Sequence, residues 1–198
     1  MYRPHPHRQF WQCANCSLVF VAPSDYPNAG TEKTRYDQHQ NDPSDERYRA
    51  FLQQLATPLL ERLRPGSIGL DFGCGPGPAL ANILQESGMT VELYDVYYAP
   101  YDTVWTNQYD FVTATEVVEH LHQPVNEFDR LFHVLKPGGW LAIMTKWVSS
   151  IPSFAASRYV RDSTHVCLYS PETFTWIANR WNSNVDFPET DIALFQKR

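Results

Sequence analysis

A hydrophobic run, Gly69-Leu70-Asp71-Phe72, breaks at Gly73-Cys74-Gly75-Pro76-Gly77, placing three glycines at alternate positions directly after a carboxylate. No other stretch restricts the fold as strongly. Apolar residues of this kind read as a strand. Glycines after it let the backbone turn sharply into a helix and approach a ligand with no Cβ in the way. A dinucleotide fingerprint, G-x-G-x-x-G, would seat a pyrophosphate on the helix N-terminus. Here the third glycine arrives one residue early and Pro78 occupies its slot, so no diphosphate is catered for. The spacing predicts a strand-turn-helix cradle for a nucleoside cofactor.

With Asp71 two residues before Gly73, the segment resembles the D/E-x-G-x-G-x-G signature of class I S-adenosylmethionine-dependent methyltransferases. The resemblance covers about residues 45–198. It implies an α/β, Rossmann-like, doubly wound sheet, mostly parallel and seven-stranded, with an antiparallel last strand. It also implies roles for single residues. Asp95, at the end of a short strand over Met89–Tyr94, would accept both ribose hydroxyls, its alternative being a solvated strand-end acid. Gly73 and Thr115 would hold the methionine part of the donor through their backbone, and Asp71 would bond the loop or the donor's amino group. Cys74, Gly75 and Val96 complete the implied cofactor set, and Tyr97 or Tyr98 would line the adenine or else stay exposed.

The remaining pattern agrees with such a sheet. Tyr109–Thr115 is an apolar strand, and Lys136-Pro137-Gly138-Gly139 is a turn feeding a strand over Trp140–Thr145. Between them Val125, Phe128, Leu131, Phe132 and Leu135 recur at helical spacing. Ser170-Pro171-Glu172 is a helix start, and Asp191–Phe195 reads as the final strand. Strand, helix and strand alternate, which argues for a parallel sheet covered on both faces.

At 198 residues and 43% hydrophobic content the chain is long enough to bury a sizeable core and too short for two full domains. The division expected is a 1–45 segment and a 46–198 catalytic domain. Sixteen basic against 22 acidic side chains give a net charge of −6, against the broad basic surface of a nucleic-acid binder. Arg47, Arg49, Arg62 and Arg64 fall near one another but read better as a solvated helix face. No apolar run approaches the roughly 20 residues needed to span a membrane, and the N-terminus lacks a hydrophobic signal core, so a cytoplasmic protein is expected. Four cysteines suit thiols or metal ligands better than a disulfide framework.

The first 45 residues differ in character. Cys13-Ala14-Asn15-Cys16 precedes Leu18-Val19-Phe20-Val21, placing the pair on a turn leading into a strand, like one knuckle of a zinc ribbon. His5 and His7 would complete a tetrahedron around Zn²⁺; metal-free thiols on a hairpin are the alternative. From Tyr26 to Asp45 the chain is polar. In related methyltransferases this segment folds over the cofactor, which would bring Tyr36 and His39 to the methyl donor; a plain linker is the other reading.

Thr115-Glu116-Val117-Val118-Glu119-His120 starts where a strand meets its helix, and offsets of three and four predict Glu116, Glu119 and His120 on one helical face. The segment is similar to the E-V-x-E-H stretch of ubiquinone-pathway O-methyltransferases and to the E-x-x-E-H stretch of small-RNA 2′-O-methyltransferases. Both resemblances imply a divalent metal, Mg²⁺ or Mn²⁺, near the acceptor, with His165 of Ser163-Thr164-His165 as a fourth ligand or base. Without metal, His120, His165 and Glu119 are candidates for acid/base or positioning work; helix-start carboxylates and a packed histidine are the structural alternative. The function expected is methyl transfer to a small molecule at oxygen, with Trp147, Phe154, Tyr159 and Trp176 available for its pocket. RNA 2′-O-methylation and a non-catalytic cofactor-binding module are the competing functions. Acceptor identity and oligomeric state are not legible.

Overall fold

The computed structural model describes residues 2–5, 8–38, 41–148 and 158–198. Three short strands open the chain: β1 (Tyr2–His5), β2 (Arg8–Gln12) and β3 (Val19–Val21), joined as antiparallel neighbours. Two capped helices follow. Asn28 accepts the Thr31 amide ahead of α1 (Ala29–Tyr36), and Asp45 accepts those of Arg47 and Tyr48 ahead of α2 (Glu46–Leu60).

The remainder builds one six-stranded sheet. Its members are β4 (Ile68–Phe72), β5 (Thr90–Tyr94), β6 (Tyr109–Thr115), β7 (Leu135–Met144), β9 (Ser183–Asp186) and β10 (Ile192–Lys197), in the order β5-β4-β6-β7-β10-β9. The pairs among β5, β4, β6 and β7 are parallel; β10 is antiparallel to both β7 and β9. Helices α3 (Ala79–Glu86) and α4 (Pro124–Val134) make the parallel crossovers, and α5 (Pro171–Arg180) leads into β9.

Side chains alternate across the strands, so the sheet has a core on each face. Phe111, Ala142, Met144 and Leu194 pack with α2 and α3, while Val112, Ile143, Ala193 and Phe195 pack with α4 and α5. Phe10, Val19 and Val21 belong to the second core.

Two expectations are revised here. Among the described residues the central sheet has six strands and not the expected seven. Between β5 and β6, residues 95–108 hold only a 3-10 turn (Asp102–Thr106), too short a connection for helix, strand and helix, so β5 is the sheet edge. The first 45 residues are not an appendage either. β3 pairs with β8 (Cys167–Leu168), which makes β1-β2-β3-β8 a second sheet built from both ends of the chain.

Candidate functional site

A cavity of about 460 Å³ opens at the C-terminal ends of β4, β5 and β6, where ligands bind in open α/β sheets. Its floor is the glycine turn. Gly73 has φ +76, the left-handed conformation that glycine adopts without strain, and a Cβ there would lie 2.3 Å from Val117. Gly77 serves a different purpose from the ligand approach its sequence suggests. A Cβ on it would lie 2.0 Å from the Asn41 carbonyl, so this glycine lets the segment before α2 cross the turn.

Asp71, Gly73, Cys74, Gly75, Asp95, Val96, Thr115 and Tyr36 all line this cavity, as do Tyr97 and Tyr98. Asp95 accepts the Gly75 amide on one oxygen and the Tyr97 and Tyr98 amides on the other. Asp71 is buried and accepts the Thr113 hydroxyl at 2.7 Å. Burial pushes its pKa up to about 6; the Thr113 bond opposes this and nearby Asp95 adds to it. The Thr115 hydroxyl is buried with no partner among the described residues.

Over this cavity α1 is fastened to the residues that follow Asp95. The Tyr97 hydroxyl donates to Glu32 at 2.9 Å, and the Tyr98 hydroxyl to Asp37 at 2.7 Å. The Tyr36 ring packs against Tyr97 and, edge-on at 5.1 Å, against His120. Sequence reasoning placed Tyr36 here; it missed Glu32, Asn41 and Thr113, whose local sequence carries no motif, and Val117, which sits inside the Glu116–His120 stretch without having been singled out. His39 lies outside the described residues.

The acid and histidine cluster is assembled differently from expectation. No helix starts at Glu116. Its φ is +54, Val118–His120 form a 3-10 turn, and the helix begins only at Pro124. Glu116, Glu119 and His120 therefore share no helical face. Glu116 sits exposed at the cavity's mouth, where solvent screens the upward push of partial burial, Glu119 and Asp191 on its pKa. Instead, Glu119, His120 and His165 converge, with one ligating atom from each lying within 4.8 Å of the others.

Carbonyls fix both rings. His120 Nδ1 lies 3.0 Å from the Thr164 oxygen and His165 Nδ1 2.8 Å from the Tyr159 oxygen. A carbonyl only accepts, so each Nδ1 carries the proton and each Nε2 is an acceptor. Glu119 is fully buried; one oxygen accepts the Thr145 hydroxyl at 2.9 Å and the other has no hydrogen-bond partner among the described residues. Burial raises the Glu119 pKa and lowers that of His165.

Elsewhere the expected sites disperse. Cys13 and Cys16 sit on the β2–β3 turn, as the spacing implied, and neither forms a disulfide. His5, however, pairs with Arg8 at the opposite end of β2 from Cys13, roughly 16 Å away along an extended strand. It cannot join the cysteines, and His7 lies outside the described residues. Three of the four aromatic residues expected at the acceptor do not line the cavity: Trp147 packs on Phe174 and Phe187, Trp176 on Trp181, and Tyr159 on His165; the fourth, Phe154, lies outside the described residues. Arg49 and Arg62 pair with Glu86 and Asp186, so no basic face forms there.

The sequence model of a family described as a methyltransferase domain matches residues 28–186. The chain belongs to the methyltransferase-domain family. The enzyme class is thus the one the glycine turn implied, an S-adenosylmethionine-dependent methyltransferase.

No curated protein matches the sequence. Among solved structures, an O-methyltransferase family protein from Burkholderia thailandensis is similar at 17% identity and a TM-score of 0.60, covering 89% of this chain and 65% of that one. This methyltransferase thus spans about two thirds of that relative's length. A 1,6-didemethyltoxoflavin-N1-methyltransferase from the same organism, solved with 1,6-didemethyltoxoflavin and S-adenosylhomocysteine bound, is similar at 13% identity and a TM-score of 0.60, covering 100% of this chain and 98% of that one. A methyltransferase from Methanosarcina mazei is similar at 14% identity and a TM-score of 0.54, covering 69% and 95%. These likenesses are of fold. Among the described residues, no helix is long and apolar enough to cross a membrane.

Proposed function

We propose that this methyltransferase transfers a methyl group from S-adenosylmethionine to an oxygen of a small-molecule acceptor. The observation that carries this reading is a single cavity lined by both the donor residues Asp71, Gly73, Asp95 and Thr115 and the proton-handling residues Glu119, His120 and His165. The donor fits the residues present. A turn with glycine at alternate positions, a buried Thr115 hydroxyl with no partner among the described residues and a carboxylate at the end of β5 are the groups its methionine and ribose parts require. When bound, the donor supplies an activated methyl on sulfur. The protein's part is then alignment in a dry pocket, which α1 and Tyr36 close from above.

A hydroxyl acceptor needs a base. His120, with Nδ1–H held on Thr164, presents Nε2 as acceptor, takes the hydroxyl proton there and hands it on from the same nitrogen to the neighbouring Glu119–His165 pair, leaving the acceptor oxygen free to attack the methyl. Glu119, His120 and His165 also form a donor set that would hold a divalent cation, whose chemistry would be to polarise the acceptor oxygen. Two imidazoles with carbonyl-bound Nδ1–H groups suit Mn²⁺ better than Mg²⁺. Glu116 stands outside that set.

Titration calorimetry with S-adenosylhomocysteine, with NAD in parallel, tests the donor. One-to-one binding in roughly the micromolar range is expected for the first and none for the second. Transfer to hydroxylated acceptors, with and without chelator, then tests the acceptor end. His120→Ala should slow it by roughly 100-fold or more while leaving homocysteine-ligand affinity intact. Absent binding would mean that the glycine turn no longer holds the donor, binding without transfer to any acceptor would favour a non-catalytic cofactor-binding module, and salt-dependent RNA binding would move the acceptor to an RNA 2′-oxygen.

A further inference from the structure

Arg8 begins β2, is 7% exposed, and reaches across 154 residues of sequence to the segment that carries His165. Its guanidinium donates to the carbonyls of Asp162 at 2.7 Å, His165 at 2.6 Å and, more weakly, Val160 at 3.4 Å. The carbonyls that fix the two imidazoles, those of Tyr159 and Thr164, belong to this same segment. A second brace acts from outside. The Asp162 carboxylate accepts the Thr164 amide and hydroxyl and is paired with Arg35 of α1. A third comes from β3, where the Val21 amide donates to Val166 and the Val166 amide to the Glu119 carbonyl. The N-terminal strands and α1 thus grip the 158–166 segment at several points, and Arg8 is the buried side chain that donates to its carbonyls.

We propose that Arg8 is a positioning residue for the imidazoles of His165 and His120, which makes the N-terminal sheet part of the transfer site. The proposal rests on the reading that these rings serve the acceptor. A guanidinium fork satisfies two carbonyls at once; a lysine at this position offers a point charge on a different stem and cannot reproduce that geometry. A methionine leaves the Asp162 and His165 carbonyls buried without their donor.

The test uses the full chain labelled with ¹⁵N-histidine, reading ring-nitrogen shifts without substrate, alongside kcat and KM. In the wild type both rings should show a single Nδ1–H tautomer. Arg8→Met should give mixed tautomers at His165 and His120 and lower kcat by roughly 10- to 100-fold, the cost of a small misplacement, with donor affinity unchanged; Arg8→Lys should fall between. Arg35→Gln, a change at the exposed brace, should shift the same resonances less, and it reads the segment's grip even if Arg8→Met does not fold. Unchanged tautomers in folded Arg8→Lys and Arg35→Gln, or a mixture already present in the wild type, would overturn the proposal whatever happens to transfer. Shifted rings with unaltered transfer would instead leave Arg8 its role and remove the histidines from the chemistry.

Discussion

The Gly75 amide donates to the Asp95 carboxylate at 3.1 Å, tying the turn after β4 to the end of β5. The other Asp95 oxygen accepts the amides of Tyr97 and Tyr98, so this side chain shapes the rim of the cavity as well as facing it. Asp95→Ala is expected to weaken S-adenosylhomocysteine binding by roughly 10- to 100-fold, the worth of one or two hydrogen bonds to a charged group. Asp95→Asn should lose less, because it keeps an acceptor. Calorimetric affinities equal to wild type in both variants would remove Asp95 from the ribose role.

Asp71 and Thr113 make a second test through pH. The Asp71 carboxyl titrates near 6 because burial outweighs the Thr113 bond. A carboxylate that holds the donor's amino group must be ionised, so affinity should decline as pH falls through about 6. Thr113→Val deletes a bond that favours the ionised form, so the midpoint should move upward and affinity at pH 7 should drop. Titrations from pH 5 to 8 on both proteins decide this; an unmoved midpoint would mean that Asp71 does not control donor binding.

What the sequence disclosed follows from how local each feature is. The β4 turn, Asp95 at the end of β5 and the Pro171 helix start are written in adjacent residues, and each stands where it was read. The helical phase assigned to Glu116 failed because offsets of three and four count only if the backbone is helical. A left-handed residue at 116 and a helix delayed to Pro124 break that phase. His165 nevertheless reaches His120, through a segment gripped by Arg8, and no periodicity links residue 8 to residue 165. His5 stands apart from Cys13 for a similar reason, since hairpin register rather than sequence distance decides which end of β2 it occupies.

Gly77 tests the contact between the segment before α2 and the glycine turn. A methyl group there would lie 2.0 Å from the backbone oxygen of Asn41, which cannot rotate away as a side chain would. Gly77→Ala should therefore displace the chain around Asn41, costing about 1–3 kcal/mol of stability and loosening the donor. Gly66→Ala is the control: it meets nothing within 4 Å and carries only the strain of its positive φ, far from the cavity. Thermal melts with and without S-adenosylhomocysteine should show a reduced ligand-induced shift for Gly77→Ala and a full shift for Gly66→Ala.

Buried Glu119 and half-buried His165 together fix the sign of two pH effects. Burial holds the His165 pKa below its ordinary 6.5, so the pair that receives the proton from His120 stays ready to accept it into mildly acidic solution, and an acid limb of kcat/KM set by His165 should lie below 6.5. Glu119 opposes that lowering. Glu119→Gln removes its charge, so the limb should shift further to acid pH even as the rate falls. Stability moves separately. The Glu119 pKa is raised in the folded state, so its contribution is present below the unfolded value of 4.5 and is lost as pH rises. Glu119→Gln, free of that penalty, should gain on wild type in denaturant midpoint between pH 5 and 8. A variant that instead loses stability increasingly as pH rises would show that the folded protein favours the Glu119 carboxylate, and would take the proton-holding role away from this pair.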